Sequence, residues 1–168
     1  MFPKRNAVMK RFEFVEGGVT AARGFRACGV EAGIKVAGRK DLAMLAADAP
    51  ATVAAVYTTN KVAAAPVRID RERTLSGQAQ AVVVNSGCAN ACTGETGLAD
   101  AREMARCLAR PLGIAMQDVL PNSTGVIGIY LPLPLIREGV EKLIPRLSED
   151  GGLELAQAMM TTDTVPKT

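Results

Sequence analysis

The hydrophobic and polar positions predict a chain in which short strands alternate with amphipathic helices. An apolar run begins after Asp41, and residues 52–60 (TVAAVYTTN), rich in β-branched and aromatic side chains, predict a strand. Residues 79–87 predict a second strand, whose continuous apolar stretch indicates burial on both faces. Glycines punctuate residues 17–38, where we expect short extended pieces and turns.

A regular three- and four-residue spacing of apolar positions predicts a helix over residues 97–110. Thr96 is its predicted N-cap, and Pro111 with Gly113 is expected to end it. The predicted buried face consists of five apolar residues, Leu98, Ala101, Met104, Ala105 and Leu108.

The rest of the chain predicts a further strand followed by helices. A short strand over 118–121 leads into the turn-rich sequence PNSTGVIG. Helices follow over 133–147, with a break at Pro145, and over 151–161. Three or four strands with these helices, and no internal repeat, predict a single α+β or α/β unit that lacks a partner segment.

Composition agrees with one globular domain: 168 residues, 48% of them hydrophobic, can bury a core without disulfides. Histidine and tryptophan are absent, which excludes Ser-His-Asp and Cys-His machinery and any histidine-bearing zinc site within this chain. The cysteines form no CxxC pair, so we expect free thiols and no metal site.

The charge is uneven along the chain. Residues 1–40 hold nine Lys/Arg against three Asp/Glu, whereas the remainder holds eleven against fourteen. Because the basic residues lie among Gly and Ala rather than aromatics, nucleic-acid binding is a minor alternative. No signal-peptide core or membrane-spanning run is found, and we expect a cytoplasmic protein that binds neither nucleic acid nor membrane.

Three short segments carry candidate chemistry. The small-residue loop over 86–97 opens a helix and could receive an anion, or could only connect strand to helix. Cys88 and Cys92 in that loop are expected to be buried thiols rather than nucleophiles, because no histidine base is present. The sequence Ser123-Thr124-Gly125 pairs a hydroxyl with a neighbouring amide, the kind of donors that stabilise an oxyanion.

Five ordered blocks of sequence resemble one enzyme family from Gly17 nearly to the end. They are GGVTAARGFRACGV (17–30), VYTTNKVAAAPV (56–67), AVVVNSGCANACTGETGLADAREMA (81–105), STGVIGIYLPL (123–133) and AMMTTDTVPK (158–167). The chain resembles the ornithine acetyltransferase family, the bifunctional glutamate N-acetyltransferases of arginine biosynthesis. This resemblance implies a precursor that cleaves itself into an α and a β chain, with the nucleophilic threonine at the start of the β chain.

The resemblance also implies roles for particular residues. Thr124 and Gly125 match the family's oxyanion pair, and Thr161 matches a threonine that contacts substrate, with Thr162 as a close alternative. The Asn and Gly positions of NSGCANA are expected to be structural. Cys88 stands where the family's usual motif has Asn, a departure whose effect the sequence leaves open.

The implied whole is an α-β-β-α layered sandwich that is incomplete without the β chain. Residues 1–16 would be a flexible basic extension and residues 17–168 most of an α chain, within a heterotetramer of two α and two β chains. The family transfers acetyl from N-acetylornithine to glutamate without a resident cofactor, and some members also use acetyl-CoA. We expect the α chain alone to be inactive. The alternative is a non-catalytic anion-binding or assembly domain from a split or truncated gene.

Overall fold

A single four-stranded sheet forms the centre of the described chain. The computed structural model describes residues 15–167; residues 1–14, most of the expected flexible extension, and Thr168 lie outside the described part. The strands lie side by side in chain order. β1 and β2 are antiparallel, as are β2 and β3, whereas β3 and β4 are parallel. Their bounds are β1, Phe25–Val30; β2, Leu42–Thr52; β3, Gln78–Cys88; and β4, Val119–Val126.

β2 corrects the strand predicted over 52–60. The strand is the apolar run before it, and residues 53–60 have no regular structure. The reason is the neighbouring strand: Thr52 pairs with Gln78, the first residue of β3, and only the amide of Val53 bonds further, to the carbonyl of Gly77. Beyond that point no backbone partner among residues 15–167 continues the ladder, so a β-prone sequence leaves the sheet. The second predicted strand is confirmed by β3.

Four α-helices accompany the sheet within the described residues. Their bounds are α1, Ala65–Arg73; α2, Gly94–Leu112; α3, Leu133–Leu143; and α4, Gly152–Met159. α1 was not predicted; it begins with Pro66 in its first turn, a position that proline favours. The break at Pro145 is confirmed, because α3 passes into a short 3-10 turn over Ile144–Arg146.

α2 confirms the predicted apolar face and corrects the predicted bounds. All five predicted core residues are buried in it. Its N-cap position is Thr93 rather than Thr96, because the amide of Gly97 already donates to the carbonyl of Thr93 at 3.2 Å, so helical hydrogen bonding begins about one turn earlier. Pro111 lies inside the last turn, and Gly113 ends the helix in the left-handed conformation.

The main core lies between one face of the sheet and helices α2 and α3. Side chains alternate across each strand, so Leu42 and Met44 of β2 meet Met104, Leu108 and Leu143 of the two helices. On the opposite face, α4 packs Leu155 and Ala158 against Ala27 and Ala43. Helices therefore contact both faces, but to different extents.

The α4 face of the sheet is only partly covered. Leu45, Val82 and Leu120 line a shallow, almost wholly apolar cleft beside α4, and the first two are half-buried. The four cysteines are free thiols, as expected. Among residues 15–167, no helix is both long and apolar enough to cross a membrane, and no cluster of three or more candidate metal ligands is found.

Candidate active site at the end of the parallel strands

Several chain segments meet at one edge of the sheet. Because β3 and β4 are parallel, their carboxyl ends, Cys88 and Val126, lie at the same edge. β2 runs the opposite way and begins there, with Leu42 paired to Asn85. Crevices outside the carboxyl ends of parallel strands are common ligand sites in sheet proteins. This edge is therefore the candidate site.

Thr124 and Gly125 lie near the carboxyl end of strand β4, and not in a loop as predicted. β4 extends to Val126 because it pairs with β3, Ser86 with Thr124 and Gly87 with Gly125. The pairing becomes irregular at Cys88, which faces both Thr124 and Val126. Thr124 and its partner Ser86 share the α4 face of the sheet, and Thr124 remains half-buried.

Gly125 is required by both its conformation and its surroundings. Its φ of +133° is one that other residues rarely adopt. A Cβ built there would lie 2.4 Å from the carbonyl carbon of Gly87. The backbones of β3 and β4 thus approach too closely for a side chain at position 125, where Gly125 is exposed beside the half-buried Thr124.

A buried asparagine fixes the end of β3 to β4. Asn85 is fully buried; its amide nitrogen donates to the carbonyl of Cys88 at 2.9 Å, and its oxygen accepts the hydroxyl of Ser123 at 2.6 Å. Ser123 directly precedes Thr124. This pair of bonds therefore holds the β3 turn and the residue before Thr124 in one fixed relation, as expected for a structural Asn.

The chain after α4 is held to the same edge. The hydroxyl of Ser86 donates to the carbonyl of Ala158, and the Lys35 ammonium donates to the carbonyl of Met160 at 2.7 Å. Lys35 is half-buried, and burial lowers its pKa, while neighbouring Asp41 opposes that shift. Asp41 in turn accepts backbone amides of the 32–35 turn at 2.6–2.8 Å. The sequence did not predict the roles of Lys35 and Asp41, because nothing local to residues 31–41 indicates the contact of Lys35 with Met160, 125 residues away.

Thr161 follows directly from this anchored end of α4. It is half-buried, and its amide donates to the carboxylate of Asp163 at 3.4 Å, whereas Thr162 is exposed. The hydrogen bond from Lys167 holds the pKa of Asp163 below its usual value. Ser86 pairs with Thr124 and donates to the carbonyl of Ala158, three residues before Thr161, so the chain that leads into the 161–163 segment is attached at the edge that carries Thr124.

In the loop between β3 and α2, the polar side chains form hydrogen bonds with each other and with the first turn of α2. Thr93 donates to the side-chain oxygen of Asn90 at 2.7 Å, and Asn90 donates to Gly97. A Cβ at Gly97 would lie 1.9 Å from the Thr93 hydroxyl oxygen, so glycine is required there. The loop thus has the close strand-to-helix packing expected of a structural connection.

Cys88 is a buried thiol, as predicted, whereas Cys92 lies in a left-handed turn of the loop and is exposed, which corrects the prediction that both are buried. Cys88 is 1% exposed, burial raises its pKa, and its thiol donates to the carbonyl of Ile129 at 3.3 Å. A raised pKa suppresses the thiolate, which is the opposite of what a nucleophile needs. Its contact instead ties the chain after β4 to the end of β3.

Comparison with known proteins decides the family. The family model described as "ArgJ family" matches residues 26–168. The chain belongs to the ArgJ family. The "Arginine biosynthesis bifunctional protein ArgJ" of Geobacter sulfurreducens is 56% identical over 145 residues, 86% of this chain and 37% of the relative. The protein of the same name from Symbiobacterium thermophilum is 53% identical over 157 residues, 92% of this chain and 39% of the relative.

Solved ArgJ-family structures share the fold. The crystal structure of ornithine acetyltransferase complexed with ornithine, from Mycobacterium tuberculosis, matches with a TM-score of 0.85 and 42% identity, over 89% of this chain and 81% of the other. The ArgJ structure from Bacillus halodurans matches with a TM-score of 0.84 and 44% identity, over 89% and 78%. The mixed α+β fold is confirmed. This chain spans about two fifths of the length of the curated relatives it matches.

Proposed function

We propose that this chain is the α-chain portion of an enzyme that transfers acetyl from N-acetylornithine to glutamate in arginine biosynthesis. The support is family membership together with the share of the relatives' length that the chain covers. In this proposal a β chain supplies the nucleophilic threonine. The threonine attacks the acetyl carbonyl, ornithine leaves, and the amino group of glutamate then accepts the acetyl group.

The proposed contribution of this chain is the oxyanion site. The observation that carries it is the placement of the half-buried Thr124 and the exposed Gly125 at the carboxyl edge of β3 and β4, where strand pairing and the close approach of the two backbones fix them. The Thr124 hydroxyl and a neighbouring backbone amide would donate to the oxygen of the tetrahedral intermediate. Donors that are already fixed lose little by reorganisation during the reaction, which is why such sites lower the barrier strongly.

The 161–163 segment is the proposed substrate contact. Thr161 is the first candidate because the Lys35 bond to Met160 fixes the residue just before it. Thr162, which is more exposed, is the second. A hydroxyl held in place beside the oxyanion site would orient the amino-acid part of the substrate rather than take part in bond making.

The proposed partner is a β chain whose sheet covers the α4 face. The half-buried Leu45 and Val82 and the neighbouring Leu120 provide an apolar surface of the kind that a second sheet covers in a sandwich. With α2 and α3 on the far face, this packing would give the layered α-β-β-α arrangement, in a heterotetramer of two α and two β chains.

An acetyl-transfer assay tests this proposal. The chain is mixed with the C-terminal part of the Geobacter sulfurreducens relative, the part beyond the region that matches this chain, and glutamate acetylation is measured with N-acetylornithine as donor. We expect activity from the pair and none from the chain alone. Activity of the isolated chain would refute the division of labour, and no activity from a formed pair would refute the acetyltransferase assignment. Acetyl-CoA as donor is measured in parallel.

A further inference from the structure

A groove lies between α2 and α3 on the solvent side of the two helices. Its volume is about 550 Å³, which is within the range of small-molecule sites. α2 lines it from Glu103 to Pro111, and α3 with the turn after it lines it from Arg137 to Ile144. On both helices the lining positions recur every three or four residues, so each helix turns one face to the groove.

Three guanidinium groups surround this groove. We call Arg106, Arg110 and Arg137 the basic rim. The two carboxylate oxygens of Glu103 accept hydrogen bonds from separate members of the rim, one from Arg106 and one, at 3.2 Å, from Arg137. Partial burial opposes ionisation of Glu103, but these hydrogen bonds hold its pKa below the usual value. One charged carboxylate therefore links guanidinium groups from both helices.

Arg110 is the member of the basic rim whose charge is not paired. It is exposed one turn beyond Arg106, and its side chain makes no salt bridge within residues 15–167. The groove also contains two carboxylates, Glu103 and Glu141, so the basic rim leaves one positive charge in excess. A guanidinium group presents its donors as a planar fork that matches a carboxylate or a phosphate. An anion is therefore the ligand that the charge of the groove favours.

The surface between the charged groups is apolar. Val140 is buried, and Ile144 is half-buried beside it. We propose that the groove binds a small organic anion, with its carboxylate or phosphate group on Arg110 and its hydrocarbon part over Val140 and Ile144. The site lies among the helices on the far face of the sheet from Thr124, and the proposal does not depend on the proposed function.

Titrations followed by amide NMR spectra test this proposal. The whole isotope-labelled chain is titrated with phenyl phosphate and with phenylacetate, and with inorganic phosphate and acetate as matched ions that lack the ring. We expect the amides of residues 103–111 and 137–144 to shift with a ring-bearing probe. That probe should bind about fivefold or more tightly than its matched ion, because its ring would cover apolar surface at Val140 and Ile144.

Three variants test the role of charge. Arg110→Gln should weaken binding of the ring-bearing probe about tenfold, because it removes a charged hydrogen-bond donor. Arg102→Gln, the control, removes the same charge from an exposed position of α2 outside the groove and should leave the affinity unchanged. Glu141→Gln should strengthen binding, because it removes a carboxylate that repels the anion. Amide signals from outside the groove report whether each variant keeps the fold.

The remaining outcomes separate the ligand classes or overturn the proposal. Tighter binding of phenyl phosphate would assign the groove to organic phosphates, and tighter binding of phenylacetate would assign it to carboxylates. No shift of the groove amides with either ring-bearing probe would overturn the proposal. Equal affinities of wild type and Arg110→Gln, or equal weakening by Arg102→Gln, would show general attraction of anions and overturn it too. Matched ions that bind as tightly as the ring-bearing probes would contradict the contact with Val140 and Ile144.

Discussion

Asp70 offers a quantitative test of the packing between α1 and β4. Its side chain is buried; one carboxyl oxygen accepts the amide of Asn122 at 3.4 Å, and the other has no hydrogen-bond partner within the described residues. Burial raises its pKa from 3.8 to about 7, although the charge of Arg73 opposes the shift. The Arg73 guanidinium bonds the carbonyl of Val119 and makes no ion pair with Asp70 among the described residues.

The sign of the pH effect follows from this raised pKa. The unfolded chain releases the Asp70 proton near pH 4, whereas the folded chain retains it to about pH 7. Asp70 therefore does not lower the free energy of unfolding below pH 4, and that free energy falls as pH rises from 4 to 7. A shift from 3.8 to about 7 corresponds to a loss of at most about 4 kcal/mol above pH 7.

Asp70→Asn keeps the shape and the acceptor for Asn122 but cannot ionise. We expect the variant to be more stable than the wild type by about 2–4 kcal/mol at pH 8 and by less than about 1 kcal/mol at pH 4. Urea unfolding across this pH range measures the difference. Asp48→Asn, which changes an exposed carboxylate paired with Arg26, is the control. A difference for Asp70→Asn that does not vary with pH would refute the reasoning.

Three further predictions concern the site and the residues that hold it. Gly125→Ala should destabilise the chain by several kcal/mol in thermal unfolding, because its Cβ would meet the β3 backbone. The control, Gly128→Ala, has a φ of +85° and nothing within 4 Å of its Cβ, and it should cost only about 1–2 kcal/mol; equal losses of stability would contradict the close approach of the strands. Lys35→Met removes the bond to the end of α4 and should raise KM for N-acetylornithine in the assembled enzyme more than it lowers kcat; an unchanged KM would remove Lys35 from the positioning role. The exposed Cys92 should react first with a thiol reagent, whereas the buried Cys28, whose pKa burial raises to about 12, should react only on unfolding, and early labelling of Cys28 would contradict its burial.

The elements that the sequence predicted well are those whose signal is local. The spacing of Leu98, Met104 and Leu108 places them on one face of α2, and the structure buries that face. The prediction needed no knowledge of the partner, because helical geometry alone groups these side chains. The continuous apolar run of β3 likewise predicted the strand, but its burial on both faces holds only in part, because Val82 on the α4 face is half-buried. Pro145 broke a helix because it lacks the amide that helical bonding requires.

The wrong predictions concern elements that depend on distant partners. Residues 53–60 resemble a strand by composition, but β3 offers them no ladder beyond Gly77. Residues 122–126 resemble a turn, but pairing with β3 extends the strand through them. The need for glycine at position 125 becomes visible only when the backbone of Gly87 is beside it.

The candidate site was predicted through resemblance more than through local pattern. The motif blocks predicted the family, and that prediction is confirmed, whereas the roles of Thr124, Gly125 and Thr161 stay predictions. The frame around them, Asn85 with Ser123 and Lys35 with Met160, joins residues far apart in sequence. No spacing rule connects such residues, because only the folded sheet brings them together.

The most direct test of the central claim is the turnover of the assembled enzyme with Thr124→Val. Valine keeps the shape of threonine and removes the hydroxyl, so the fold and the binding of the β chain should be retained. We expect kcat for acetyl transfer from N-acetylornithine to fall by about 10²–10³, the usual effect of losing one oxyanion donor. Thr124→Ser should restore most of the rate. An unchanged kcat in Thr124→Val would contradict the assignment of the oxyanion site to this chain.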